Sequence, residues 1–211
     1  MEPEIWKSMA ELAGIIMLGA MSPGPDFAIV VKNSLIYSRN TALWTALGIS
    51  LGNLVHVSYT LLGLGLVISE NPWLFQLLKY LGASYLVYIG WHGIRAQKRT
   101  LALDNLEHQR DLSWLLAVRS GFLTALLNPK SMLFFISLFS VVIPQNTSVI
   151  VMFLDAVMIF VESLLWFSFL AYCLSGQSMR EKFNSISHWI ERLIGGVLIL
   201  LGVKLFFHDF S

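Results

Sequence analysis

Three ionisable side chains, Asp26, Lys130 and Glu162, lie within or beside long apolar stretches of this 211-residue chain. A charge in hydrocarbon is expensive unless it is paired or wetted, so such residues in a membrane segment mark substrate, ion or proton pathways. Asp26 directly follows a proline in Ser22-Pro23-Gly24-Pro25-Asp26, and Lys130 directly follows one in Asn128-Pro129-Lys130. An anion and a cation brought together suit a zwitterion, which carries the complementary pair. Two prolines around a glycine delete backbone donors and release φ, so each segment reads as a broken helix. A half-helix starting after each break would favour a carboxylate through its N–H groups and positive dipole end. A carboxyl group removed from water favours its protonated form, which makes Glu162 the candidate to carry a coupling proton, with Asp26 beside it. The same residues have a structural reading, in which Lys130 pairs with Asp26 or Glu162 only to hold helices together. Asn53 and His56 are one helical turn apart and are candidates to line the same cavity, although single polar residues in membrane helices also serve as interhelical glue. Asp155 reads as a solvated residue near the outer end of its segment.

The elements that must position these residues follow from composition. Of all residues 56% are hydrophobic and 13% charged, against roughly 45–50% and 25% in soluble domains. Lipid must cover the remainder. A spanning helix needs about 20 mostly apolar residues. Candidate spans run from Leu12 to Val31 with the first break inside, over 41–69, over 80–94 between Lys79 and Arg95 as snorkelling ends, through the uncharged block Ser131 to Leu154, over 156–179, and over about 188–208. With spans ending near 31, 69, 94, 143, 174 and 208, one side gathers Lys32, Arg39, Arg95, Lys98, Arg99, Arg110, Arg119, Arg180, Lys182 and Arg192. The other holds Lys7, Lys79 and Lys204. The excess of Lys and Arg places the 95–119 loop in the cytoplasm and both termini outside. The N-terminal stretch lacks a basic region and a small-residue cleavage site, so its apolar segment is expected to stay in the protein.

The two halves resemble each other in order. Each opens with a polar residue, a proline and an apolar run, with a glycine about two turns earlier, Gly14 and Gly121. Lys79-Tyr-Leu-Gly82 reaching Gly90 is echoed by Arg192-Leu-Ile-Gly195 reaching Gly202. Three spans reverse the chain, so such halves are related by an axis in the membrane plane, a mark of many transporters. The expected architecture is an all-α integral membrane protein with six transmembrane helices, arranged as two inverted three-helix repeats whose first and fourth helices are broken by proline. It forms one domain over 1–211, with repeat 1 at about 5–98, a cytoplasmic link at about 99–115 and repeat 2 at about 116–208.

Several classes of function are unsupported. A net charge of +1 gives no bulk field for nucleic acid. The lone Cys173 forms no intrachain disulfide, and the five histidines show no metal-ligand spacing, so no metal and no cofactor is expected. Gly48-Ile-Ser50-Leu-Gly52 matches a nucleophile motif only on paper, because it lies inside a long apolar helix, where small residues four apart read as close packing. No phosphate loop is present, no catalytic residues are assigned, and an enzyme is not expected. Small-residue pairs allow packing within one chain or in a homodimer.

Met21-Ser-Pro-Gly-Pro-Asp-Phe27, Gly121-Phe-Leu-Thr-Ala-Leu-Leu-Asn128-Pro-Lys130, Val161-Glu-Ser-Leu-Leu-Trp-Phe167 and Trp189-Ile-Glu-Arg-Leu-Ile-Gly195 together resemble the LysE/RhtB-type amino acid exporters. The first and third strings look most like the homoserine/threonine efflux branch. The resemblance implies a bacterial inner-membrane exporter of small neutral amino acids working by exchange with protons, with Ser22 to Asp26 and Asn128 to Lys130 matching signature segments and Glu162 in a matching string. Its partners would be the amino acid, protons and the lipid bilayer. The alternative is a membrane scaffold or accessory subunit that transports nothing.

Overall fold

The computed structural model describes residues 3–22, 24–70, 72–97, 110–142, 147–174 and 177–207. Among these residues the secondary structure is entirely helical: α1 (Pro3–Met21), α2 (Pro25–Ile36), α3 (Arg39–Glu70), α4 (Pro72–Ile94), α5 (Trp114–Leu126), α6 (Pro129–Val142), α7 (Val149–Leu174) and α8 (Gln177–Phe207). A short bent pair followed by two long helices occurs twice in that order. The breaks fall where the prolines require them. Pro25 and Pro129 each stand at the first position of a helix, where a missing N–H costs nothing, whereas inside a helix a proline would remove a bond and clash with the preceding turn. The axes bend by 58° between α1 and α2 and by 57° between α5 and α6.

Three helical stretches among the described residues are long and apolar enough to cross a membrane, Arg39–Gly63, Val149–Leu174 and Ser185–Lys204, and counting each bent pair as one span raises this to five. The sixth expected span, α4, has 23 residues but does not reach the same apolarity. Its glycines, tyrosines, tryptophans and Lys79 dilute it. Outward-facing Leu62, Tyr88, Phe153, Leu165, Leu193 and Leu200 are all exposed, an apolar exterior that suits lipid.

Helix packing depends on missing side chains at a few crossings. Gly90 of α4 and Gly195 of α8 each lack room for a Cβ because the partner's backbone is in the way, and Gly202 packs on Ala83 and Val87. α4 and α8 therefore run antiparallel in close backbone contact. Gly48 and Gly121 play the same part between α3 and α5, which run parallel. Two apolar clusters fill the interior. One joins Leu12, Ile16, Val57, Leu61, Leu86, Phe134, Phe135, Leu138, Phe139, Ile159, Ile194 and Leu198. The other is built on Phe27, Val30, Val31, Ala46, Ile49, Phe167 and Leu174.

Two charges sit elsewhere than expected. Lys79 is not a snorkelling end of its helix: α4 begins two turns earlier at Pro72, and the side chain is 1% exposed, with its Nζ 5.3 Å from the centre of the Tyr80 ring. Asp155 is not on a solvated face. It is 4% exposed, on the same stripe of α7 as Ile159, Ser163 and Phe167, and its Oδ1 has no hydrogen-bond partner among the described residues. A charge near the end of an apolar run looks interfacial in a sequence, but the covering neighbours come from elsewhere in the chain.

Candidate functional site

The two helix breaks meet. Lys130, the second residue of α6, reaches back across the first break, and its Nζ donates to the Ser22 carbonyl and to Ser22 Oγ, both at 2.8 Å. Ser131 Oγ donates to Asp26 Oδ2 at 2.9 Å, and Asp26 is the second residue of α2. Asn128 ties this together: its Oδ1 accepts from the Lys130 backbone N–H at 3.0 Å and its Nδ2 donates to Ser131 Oγ at 2.9 Å. Asn128 thus caps α6, supplying a partner to one of the helix's orphan donors. At α2 the cap is Gly24, in an extended conformation with no side chain to offer. A Cβ there would lie 3.3 Å from Lys130 Cδ, so glycine lets the lysine lie across the break. Asp26 and Lys130 are near enough for their opposite charges to attract, and Glu191 of α8 also acts on Lys130.

Between the breaks and the two apolar clusters is a cavity of about 50 Å³. Ser22, Gly24, Asp26, Asn53, Asn128, Lys130 and Ser131 supply its polar lining, and Ile16, Gly19, Phe134, Phe135 and Phe167 supply apolar lining. Two acceptors among these residues lack partners. Asp26 Oδ1 and Asn53 Oδ1 are buried and have no hydrogen-bond partner among the described residues. The Asn53 amide is oriented by its other end, because Nδ2 donates to Ser163 Oγ at 3.1 Å, which is itself 3.3 Å from Ser50 Oγ. An orphan acceptor costs about 1–3 kcal/mol in an apolar interior. Both belong to residues that line the cavity, and each calls for a donor.

Of the residues singled out in the sequence, the structure brings Ser22, Gly24, Asp26, Asn53, Asn128 and Lys130 to this cavity. Pro25 and Pro129 begin the half-helices without lining it, and Pro23 lies outside the described residues. His56 is fully buried but does not line the cavity. Its Nε2 lies 2.9 Å from the Ala125 carbonyl, which can only accept, so that nitrogen carries a proton; Nδ1 lies 2.7 Å from Tyr59 Oη. The residue fastens α3 to the end of α5. Glu162 is elsewhere, in a separate groove lined by Ala13, Gly14 and Met17 of α1 and by Met158, Val161 and Leu165 of α7. Its Oε2 is buried with no partner among the described residues. Sequence reasoning passed over Ser131, Ser163 and Trp166, whose Nε1 donates to the Ala20 carbonyl at the end of α1, at 3.0 Å. Ser163 and Trp166 sit in the same string as Glu162, and Ser131 directly follows Lys130, but no local pattern shows which partners they reach. Among the described residues no group of His, Cys, Asp and Glu could hold a metal ion.

An apolar exterior, helices interrupted in the interior and a charge-lined cavity at the interruptions define a multi-pass membrane protein. The chain belongs to the LysE type translocator family, which it matches over residues 17–209. It is 32% identical to the threonine efflux protein of Escherichia coli K12 over 197 residues, 92% of this chain and 95% of that one. Two uncharacterised membrane proteins are similarly related: YahN of the same organism, 28% identical over 92% of this chain and 86% of its own, and YrhP of Bacillus subtilis, 28% identical over 93% and 98%. No solved structure matches. Family and relatives point to a transporter rather than an enzyme.

Proposed function

We propose that the protein is a secondary exporter of small neutral amino acids of the threonine or homoserine kind, working by alternating access and proton antiport in a bacterial inner membrane. The observation that carries this reading is that the residues lining one cavity include Lys130 together with Asp26 and Asn53, whose Oδ1 atoms lack hydrogen-bond partners among the described residues. An α-ammonium group brings three donors, and two of them answer these oxygens. The α-carboxylate takes the Lys130 Nζ, which exchanges its bonds to Ser22 for the ligand. The amino acid thereby replaces interactions the site already makes, so little is lost on release, as a carrier requires.

Alternating access rests on the reading of the halves as inverted repeats. Asp26 and Lys130 hold the same position in their half-helices, second after the cap. Ser50 of α3 meets Ser163 of α7, as residues on a twofold axis do, and the contact of Gly90 with Gly195 has its counterpart in that of Gly202 with Ala83. The antiparallel packing of α4 on α8 supports a sixth crossing by α4, since its partner is long and apolar enough to span. The excess of Lys and Arg at one set of helix ends favours cytoplasmic placement of the 95–119 loop and external termini. Glu162 is the proposed proton site, and antiport then needs no nucleotide.

The experiment is efflux from proteoliposomes preloaded with labelled threonine, homoserine and other amino acids, with and without an inward proton gradient. Efflux of a neutral amino acid that the gradient accelerates is expected. No movement of any amino acid by folded protein, and no stabilisation by any of them, would overturn the reading in favour of a scaffold.

A further inference from the structure

The cavity has two kinds of lining. With a ligand's ammonium and carboxylate groups held by the charged residues, its side chain is left to the apolar lining. That lining is mostly aromatic, with Phe134, Phe135 and Phe167 beside Ile16 and Gly19. Gly19 lies in the last turn of α1. A Cβ built on it would run into the Phe134 ring, lying 2.8 and 2.9 Å from Cε1 and Cε2. The ring therefore rests in a notch that only glycine leaves open. Phe134 is held from behind as well, edge to face with Phe135 at 5.8 Å. Phe135 in turn stacks on His56 at 6.2 Å, and the hydrogen bonds of His56 to Tyr59 and Ala125 fix that imidazole.

We propose that Gly19 and Phe134 form a size filter for the substrate's side chain, with His56 as a positioning residue that supports it through Phe135. The inference rests on the exporter reading and adds the substrate class: amino acids with side chains of two or three heavy atoms, branched or hydroxylated, and not larger aliphatic or aromatic ones. In a cavity of about 50 Å³ the ring's position decides how much side chain fits. Apolar walls discriminate by about 10- to 200-fold per methylene-sized change.

The two residues allow changes of opposite sign. Gly19→Ala pushes the ring into the cavity and should lower threonine transport relative to glycine and alanine by on the order of tenfold. Phe134→Ala removes the ring and should raise leucine relative to threonine by a similar factor. The measurement is transport of glycine, alanine, threonine and leucine, each competing with labelled threonine, by wild type and both variants in proteoliposomes. Phe134→Leu serves as a milder cavity-enlarging variant should Phe134→Ala not fold. Opposite shifts in the ratios support the filter. Parallel losses for all four amino acids, or unchanged ratios, overturn it while leaving the exporter reading intact. A wild-type protein that moves none of them overturns the exporter reading itself, and the filter with it.

Discussion

Two seams in this molecule are built from corresponding stretches of chain and packed in opposite ways. Between α3 and α5 the backbones touch. A Cβ on Gly48 would run into the Val118 carbonyl and lie 2.8 Å from the Phe122 nitrogen, and one on Gly121 would run into the Thr45 carbonyl and lie 3.0 Å from the Ile49 nitrogen. Between α1 and α7 there is instead a groove of about 570 Å³, and Gly14 has nothing within 4 Å of the place where a Cβ would stand. Aligned on Pro25 and Pro129, which open α2 and α6, Ala13, Gly14 and Met17 correspond to Ala117, Val118 and Gly121, so Gly14 pairs with Val118 and not, as the sequence alone suggests, with Gly121. The displacement that takes Ser50 to Ser163 takes Thr45, Gly48, Ile49 and Gly52 to Met158, Val161, Glu162 and Leu165. On the proposed repeat, the open groove is the sequence counterpart of the closed seam. Where the seam has glycines, the groove has Met17, Val161 and Leu165, and it has methionine at 158. Glycine crossings fit in one register and lock, whereas methionine adapts to changing surroundings. In the proposed cycle α3 and α5 would then move as one body, and the groove beside Gly14 is where α1 would find room to close, pivoting on its end, which Trp166 holds at Ala20.

The comparison can be broken most severely at its tight side. Gly121→Leu should cost more than about 3 kcal/mol, because the new side chain meets backbone rather than a movable rotamer; folded protein recovered in detergent at the wild-type level would show that the seam is not locked. Gly14→Leu should leave the fold within about 0.5 kcal/mol of wild type and ligand-induced stabilisation unchanged. It should slow turnover by about tenfold, equivalent to some 1.4 kcal/mol in the barrier, since a filled groove stops α1 from closing. Thermal unfolding measured beside transport separates the two effects, and wild-type turnover would remove α1 as the moving part. The smallest change is Glu162→Gln, which keeps shape and volume in the groove. It should abolish only the stimulation of efflux by a proton gradient and leave exchange of one amino acid for another intact. Loss of both, or of neither, would detach Glu162 from proton coupling.

The legible part of the structure was the part written in local chemistry. Prolines at 23, 25 and 129 announce interruptions wherever they stand, and Pro25 and Pro129 open α2 and α6. Asp26 and Lys130 stood out because charge is rare in such surroundings, and the cavity formed around both. Partners far apart in sequence were not legible. Asn53 was a candidate on its own, but nothing near it points to Ser163, 110 residues away. His56 looked like a cavity residue, and its place is set by a carbonyl of α5 that no side-chain pattern reveals. The burial of Lys79 and Asp155 was misjudged for the same reason, because what covers them comes from other elements.

The helix breaks also bear on how the chain is made. Each leaves backbone carbonyls without intrahelical donors at a depth where water is scarce, and an unsatisfied group in lipid costs several kcal/mol. Donors come from the opposite half: Trp166 serves Ala20, Lys130 serves Ser22, and His56 joins the Asn128 N–H at Ala125. The first four helices are synthesised before the residues that complete them. Each half is therefore a template for the other, and a chain divided between α4 and α5 should accumulate only when both fragments are produced in the same cell.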